Sequence, residues 1–425
     1  MDVNKKKHIL KLSFFVFTLF FNCTNESKNN VSLKSIGASG RNKQIKIKTE
    51  AVKLLDVNNK GATKVVIPSD VFNSNIELNG IIYNIDLIPL ETTSESIIGS
   101  IHNILFDSDS YFIHDIRNNK LLRFSENGKF LNSIGTIGNG PNELLRIRDV
   151  AINTEKKFIS ILDSKSRKIC RYRYSGEFID SKPFYYMVSE HEYGNNSLVF
   201  GASIAQKNKG IPLVESFRLI LADTNVIPLG RAFKTPENSF IYATKRPLRK
   251  FNNSIYYHQP FSNGIWKVED GVLIPVIKFE FEKNGFPDGV WKKEISTKKF
   301  KSILDKYMTF SGEFIMSDSI YFFRFFNKGE VSDLYYNKES EEIIYGKGIK
   351  INKDNPEMVL YRSPIGIGKN NSFFTKIEAM SLFSYRQAVE EKEIKNTLKT
   401  KYWEVIKDIK QTDNPLIVTY KIKDF

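Results

Sequence analysis

Phe112-Ile113-His114-Asp115, followed by Lys120, Arg123, Phe124, Gly128 and Phe130, returns further along the chain as Ser160-Ile161-Leu162-Asp163, followed by Lys168, Arg171, Tyr172, Gly176 and Phe178. The offset is constant at 48, both from Asp115 to Asp163 and from Gly128 to Gly176. A fixed period of this length marks an array in which each repeat is one supersecondary unit.

The unit reads as strand, turn, strand, turn, strand. Ile159 to Leu162 is a short apolar strand, and Asp163 ends it by offering its carboxylate to backbone N–H groups two residues on. Ile169, Arg171 and Arg173 then alternate with Cys170, Tyr172 and Tyr174, the period of two expected of a sheet. Ser175-Gly176 makes the next turn, as Asn127-Gly128 does one repeat earlier. Such a unit is exposed on both faces and cannot bury them alone, so neighbouring sheets must cover it. Radial stacking of four-stranded blades around a channel does this with few exposed edges, and the period agrees with blade lengths rather than with the shorter coils of β-solenoids.

Later copies are blurred. Ser254-Ile255-Tyr256-Tyr257, before Ile265-Trp266-Lys267-Val268 and Asp270-Gly271, forms another strand–strand–hairpin unit. Asp318 to Phe323 opens one more, reaching Leu334-Tyr335-Tyr336 and the polar turn from Asn337 to Glu341. Spread over residues 76–425, six blades average about 58 residues each. Ser381 to Lys410 carries Ile394, Leu398, Tyr402, Val405, Ile406 and Ile409 at helical spacing, which predicts an amphipathic helix. Asn414-Pro415 stops it, and Leu416, Val418, Tyr420 and Ile422 alternate in a last strand. That strand is expected to pair with an N-terminal segment, because an unclosed ring would leave an edge exposed. The expected class is therefore all-β: a six-bladed β-propeller with an amphipathic helix near the C-terminus and a ring-closing final strand.

Composition agrees. The 425 residues are 41% apolar, and 33 Phe and 19 Tyr suit strands that bury wide, flat side chains. The net charge of +15 raises a nucleic-acid reading, but the Lys are spread along the chain among Asn and Ile with no RNP-like, zinc-finger or helix-turn-helix pattern. No nucleic-acid partner is expected. A basic surface leaves acidic glycans and anionic membranes open. The two cysteines, Cys23 and Cys170, make no disulfide framework, and Cys170 sits in a strand alternation as a buried, inert thiol.

Residues 1–22 read as a secretory signal, with Lys5, Lys6 and Lys7 ahead of an apolar run from Ile9 to Phe21 that is too short to span a bilayer. Leu19-Phe20-Phe21-Asn22-Cys23 resembles a bacterial lipobox, in which cleavage before Cys23 exposes a thiol and an amine for acylation. Several acyl chains would then anchor the protein to a membrane. A plain signal peptide with a chance Cys is the other reading. Residues 23–75 comprise the lipidated Cys23, a polar tether from Thr24 to Asn30 and N-terminal strands.

Two stretches carry a family resemblance: Ile88 to Gly99, and Gly128 to Glu143 with Gly138-Asn139-Gly140-Pro141 at its centre. They resemble the six-bladed β-propeller lipoproteins common in Bacteroidetes, which are related to NHL-repeat proteins. The similarity extends to Phe251 to Phe281 and to the strand after Asn414-Pro415. Thr136 and Asn139 stand where that family often has Arg and Gln, and Leu144 replaces a usual aromatic. The resemblance implies a fold and an envelope location rather than a reaction.

Candidate chemistry is sparse. Gly138, Asn139, Gly140 and Pro141, with Glu143 and Arg146, form the one loop whose backbone N–H groups suit a ligand, and these six are the candidate ligand-binding residues. No Lys-Ser/Thr follows for a phosphate cradle, and an inter-blade crossover is the structural alternative. Glu143 and Arg146 either face the channel mouth or pair with each other. Among the histidines, His191 lies between Glu190 and Glu192, but neighbours on a strand point to opposite faces, so a surface position is expected. His102, His114 and His258 converge only if their loops reach the channel. Asp115 and Asp163 hold equivalent places in successive repeats and are expected to form turns. No metal site, cofactor or catalytic residue is predicted. The functional expectation is a non-catalytic binding module of the cell envelope, with a glycan, a peptide or an envelope protein as partner; an extracytoplasmic metal-dependent lyase or hydrolase acting at the channel is the alternative.

Overall fold

The computed structural model describes residues 30–35, 43–58, 61–78, 80–194, 196–202, 208, 210–236, 246–348, 359–389, 391–398 and 400–425. Six sheets of at least four strands each are arranged as the blades of a propeller. Blade 1 runs Ile101–Asp107, Ser110–Asp115, Lys120–Ser125, Phe130–Ser133, and blade 2 runs Ile147–Asn153, Phe158–Asp163, Lys168–Arg173, Phe178–Pro183. The second, third and fourth strands of these two blades begin 48 residues apart, the repeat seen in the sequence. Inner strands of blades 3, 4 and 5 are Glu190–Tyr193, Leu248–Phe251 and Thr309–Met316, and that of blade 6 is Gly366–Ile367.

Each pair of neighbouring blades shares one apolar core. Strand alternation explains how: Ile159 and Ile161 join Phe112 and Leu121 between blades 1 and 2. Phe158 and Leu162, one residue out of phase, join Leu198 and Phe200 between blades 2 and 3. A sheet buried on both faces therefore has apolar residues at consecutive positions rather than a single apolar stripe. The seam between blades 4 and 5 is the most aromatic, with Phe279, Phe310, Phe314, Phe323 and Phe325 in mutual ring contact.

Hairpins follow the sequence reading. Gly128 and Gly176 have φ of 81° and 90° and close equivalent turns by donating to Ser125 and Arg173. At Gly128 a side chain is excluded twice over, since a Cβ would lie 2.0 Å from the carbonyl oxygen of Pro89 in blade 6.

The ring closes as expected. Blade 6 takes its three inner strands from the C-terminal part of the chain and its outer strand, Ile82–Pro89, from the N-terminal part. The final strand, Leu416–Ile422, pairs antiparallel with it, Leu416 opposite Pro89 and Ile422 opposite Ile82. The helical stretch differs in detail. It is three short helices, Ala379–Ala388, Glu391–Thr397 and Thr400–Ile406, and the first ends where Val389 adopts extended geometry. Ile394, Leu398, Tyr402, Ile406 and Ile409 are nonetheless all buried against blade 6. Several elements have no counterpart in the repeat, among them a two-stranded sheet of Asn30–Ser35 with Lys43–Lys48. A helix at Thr297–Leu304 covers a small core of Phe286, Val290 and Ile295. Lys53–Leu54, Asp56–Val57 and Thr63–Ile67 run parallel to the outer strands of blades 3 and 4, covering those edges.

Candidate functional site

The inner strands converge on a cavity of about 550 Å³ at the propeller axis. Its mouth lies where the inner strands of blades 1, 2, 4 and 6 turn into their hairpins, at Asp107, Ser108, Thr154, Asn252, Asn253 and Lys369, and its inner end is reached by Asn103, Glu192, Arg246 and Arg249. Apolar contacts come from Ile104, Phe106, Ile315 and Ile367. This volume suits a small molecule or the end of a polymer.

Below it lies a buried polar cluster. Asp149 on the inner strand of blade 2 accepts the backbone N–H of His191 at 2.8 Å and faces its Nδ1 at 3.0 Å, while Nε2 lies 2.8 Å from Ser160 Oγ. Arg246 Nη2 approaches the other Asp149 oxygen at 3.8 Å. Burial alone would raise Asp149, but the His191 hydrogen bond and the Arg246 charge outweigh it and hold the carboxyl at about 2. Glu190 accepts the backbone N–H of Leu248 in blade 4 at 3.2 Å. Burial, assisted by the Asp149 charge, pushes Glu190 up to about 8. Burial also pushes Glu192 up to about 7 against the pull of Arg246. Arg249 falls to about 10, through burial first and then the like charge of Arg246.

His191 is therefore not at the surface, as its acidic neighbours suggested, but only 1% exposed. Alternation does hold: His191 faces blade 2, while Glu190 bonds to blade 4. The strand is the innermost of its sheet, however, so both of its faces are covered. His102 and His114 are neighbours, with ring centroids 5.1 Å apart. Burial, reinforced by His102, lowers His114 to about 4. His258 lies apart in blade 4, where its Nδ1 meets the Gly264 carbonyl at 3.0 Å and its ring stands edge-on to Phe310. Among the described residues no three His, Cys, Asp or Glu side chains are grouped to hold a metal ion.

The loop carrying Gly138, Asn139, Gly140, Pro141, Glu143 and Arg146 is the crossover from the outer strand of blade 1 to the inner strand of blade 2, and none of the six lines the cavity. The loop closes on itself: the Gly138 N–H donates to the Leu144 carbonyl at 3.0 Å and the Leu144 N–H to the Thr136 carbonyl at 2.8 Å. Glu143 accepts the N–H of Gly140 at 2.6 Å. Cys23 lies outside the described residues. Cys170 is buried, and burial pushes its thiol up to about 12. Asp115 and Asp163 are the turn formers expected. The Asp163 carboxylate accepts four backbone N–H groups: Leu145 at 2.7 Å, Arg146 at 3.2 Å, Lys165 at 3.0 Å and Ser166 at 3.1 Å.

Sequence reasoning missed Asn103, Asp149, Arg246 and Arg249. The available signal was charge within short strands that open a repeat, as in Glu190-His191-Glu192-Tyr193 and Leu248-Arg249-Lys250-Phe251, where polar residues stand next to the axis.

Fold and site together define a six-bladed β-propeller with a charged axial channel. The chain belongs to the family described as Domain of unknown function (DUF4934), whose model matches residues 63–421. No curated protein matches it. Among solved structures, a Bacteroides fragilis protein described as exported is similar at 16% identity and a TM-score of 0.69, over 85% of this chain and all of that one (100%). A member of the DUF4221 family from Bacteroides vulgatus is similar at 11% identity and a TM-score of 0.44, over 81% of this chain and 98% of that one. A virginiamycin B lyase from Staphylococcus aureus is similar at 11% identity and a TM-score of 0.36, over 67% of this chain and 78% of that one. At these identities the first shows a shared fold, and the other two carry no argument about activity. No helix among the described residues is long and apolar enough to cross a membrane.

Proposed function

We propose that this chain is an exported, lipid-anchored propeller that binds a ligand in its axial channel without transforming it. The observation that carries this reading is the cavity of about 550 Å³ between the six inner strands, which offers charged and apolar wall together. The sequence from Lys5 to Cys23 supports export and acylation. A sugar residue or a peptide side chain presented by an envelope polymer is of a size to enter.

Thermal-shift measurements against a panel of glycans and peptides test the channel, with Thr154→Trp narrowing the mouth. A ligand that stabilises the wild type and loses its effect in the variant supports the reading. Ligands that act equally on both, or turnover of any panel member, overturn it. Replacing Cys23 by Ser should abolish acyl-chain labelling and release the protein from membranes, and unchanged labelling would overturn the anchor.

A further inference from the structure

We propose that the inner end of the channel is an oxyanion site, in which Arg246, Arg249 and Asn103 hold a carboxylate or phosphate group of a small acidic ligand. The inference rests on the channel-binding reading and names the chemistry of what binds there.

Three of the charges on the cavity wall, Asp107, Lys250 and Lys369, are already engaged. Asp107 accepts from Lys157 at 2.9 Å and also from the Tyr174 hydroxyl. Lys250 donates to the Tyr193 carbonyl at 2.9 Å, and Lys369 bridges Glu126 at 2.7 Å and Asp109 at 3.3 Å. Glu192, Arg246 and Arg249 remain, and among the described residues the buried wall atoms left without a partner are of one polarity. Asn103 Nδ2, Arg246 Nε and Nη1, and Arg249 Nε are buried and have no hydrogen-bond partner among the described residues, and all four are donors. No acceptor on the cavity-lining residues is left over in this way. Buried donors without acceptors are costly, and native proteins rarely keep several together.

Charge points the same way. Arg246 acts on Arg249 as a like charge, opposed by Glu313, Glu190 and Glu192; of these Glu313 is committed to Arg324 at 2.6 Å, and burial, which pushes Glu190 up to about 8, keeps it mostly neutral at pH 7. Asp149 meets Arg246 only at 3.8 Å and is itself committed to His191. Glu192, pushed up to about 7 by burial, cancels only part of the positive charge at neutral pH. A planar or tetrahedral oxyanion entering the inner end supplies the acceptors and the charge at once, provided the Arg249 and Asn103 side chains turn their buried donors toward it, and the forked guanidinium is the group best shaped to take it.

The test uses the mature chain at constant ionic strength, with inorganic phosphate, sulfate, succinate and glucuronate as probes, and glucose and chloride as neutral and monatomic controls. Calorimetry and thermal shift should show saturable binding of at least one oxyanion probe. Arg249→Gln and Asn103→Ala should weaken it, Arg249→Gln by about tenfold to a hundredfold. Arg249→Lys, which keeps charge but not the fork, should fall between. Lys369→Gln at the mouth removes the same charge and should leave affinity within about twofold, which separates a built site from a general basic field. Equal loss in Lys369→Gln, or no saturable binding by any probe, overturns the inference. A neutral glycan that binds the wild type but not Thr154→Trp, with the oxyanions inert, sinks the oxyanion site and leaves the channel reading standing. Oxyanion binding unaffected by Thr154→Trp and by Arg249→Gln sinks both.

Discussion

Asp149 and His191 join blades 2 and 3 at the axis through one carboxylate oxygen, which takes both the backbone N–H of His191, at 2.8 Å, and its ring Nδ1, at 3.0 Å. With that ring proton on the Asp149 side, Nε2 accepts from the Ser160 hydroxyl. The order of groups matches a hydrolytic triad, but Ser160 is 0% exposed and no substrate reaches it. The three side chains are a buried tie between sheets. Removing one partner of such a pair leaves the rest uncompensated, so Asp149→Ala should cost about 3–5 kcal/mol. Ser160→Ala, which removes a neutral bond, should cost about 1 kcal/mol. Midpoints of urea unfolding give both, and a small effect at Asp149 would show that the pair is not a tie.

The acidic residues beside His191 set a pH dependence. In the unfolded chain Glu190 and Glu192 titrate near the ordinary 4.5, whereas in the fold burial raises them to about 8 and about 7. The fold thus favours their protonated forms. Their contribution to stability is fully present below pH 4.5 and is lost as pH rises through 7 and 8. The double variant Glu190→Gln, Glu192→Gln should therefore gain on the wild type in melting temperature as the buffer moves from acid to mildly alkaline. Parallel pH profiles would contradict the assignment.

Asp163 gathers N–H groups from two chain segments that would otherwise have none to share: the entry to blade 2 at Leu145 and Arg146, and the turn at Lys165 and Ser166. Asp115 does the same one repeat earlier, accepting from Gly99 at 2.7 Å and Ser100 at 2.9 Å. Charge-assisted bonds of this kind contribute more than neutral ones. Asp163→Ala should cost about 3 kcal/mol or more by denaturant titration, and Asp163→Asn, which keeps an acceptor, about half as much. Equal effects for the two would point to packing rather than to the bonds.

Cys170 is 1% exposed, and its thiol is pushed up to about 12 by burial, followed by the charge of Asp163. The thiolate is the reactive form, so a thiol reagent at neutral pH should leave Cys170 unmodified in the folded protein and label it fully in denaturant. Rapid labelling under native conditions would mean that blade 2 opens locally.

The repeat was legible because blades 1 and 2 use the same backbone devices at the same places, Asp115 with Asp163 and Gly128 with Gly176, which blades 3 to 6 do not all keep. Ring closure was legible because the alternation from Leu416 to Ile422 follows a clear stop at Asn414-Pro415. The axial cluster was not, because Asn103, Asp149 and Arg246 occupy single positions in different repeats and meet only after the ring forms. His191 misled for a related reason: alternation tells which residues share a face, not whether both faces are covered. The break at Val389 was hidden because the apolar spacing from Ile394 to Ile409 continues beyond it and serves the same sheet.

The sixth blade has a further bearing on how the molecule is made. Its last strand and the segment that receives it are far apart in the chain; the Asn414 side chain, for instance, donates to the Glu91 carbonyl across 323 residues. Synthesis proceeds from the N-terminus, so the early segment waits for its mate until almost the whole polypeptide exists. Assembly of the circle is thus a late, slow event dominated by distant pairing. A polypeptide that cannot lock itself prematurely stays open to rearrangement until its last strand is made.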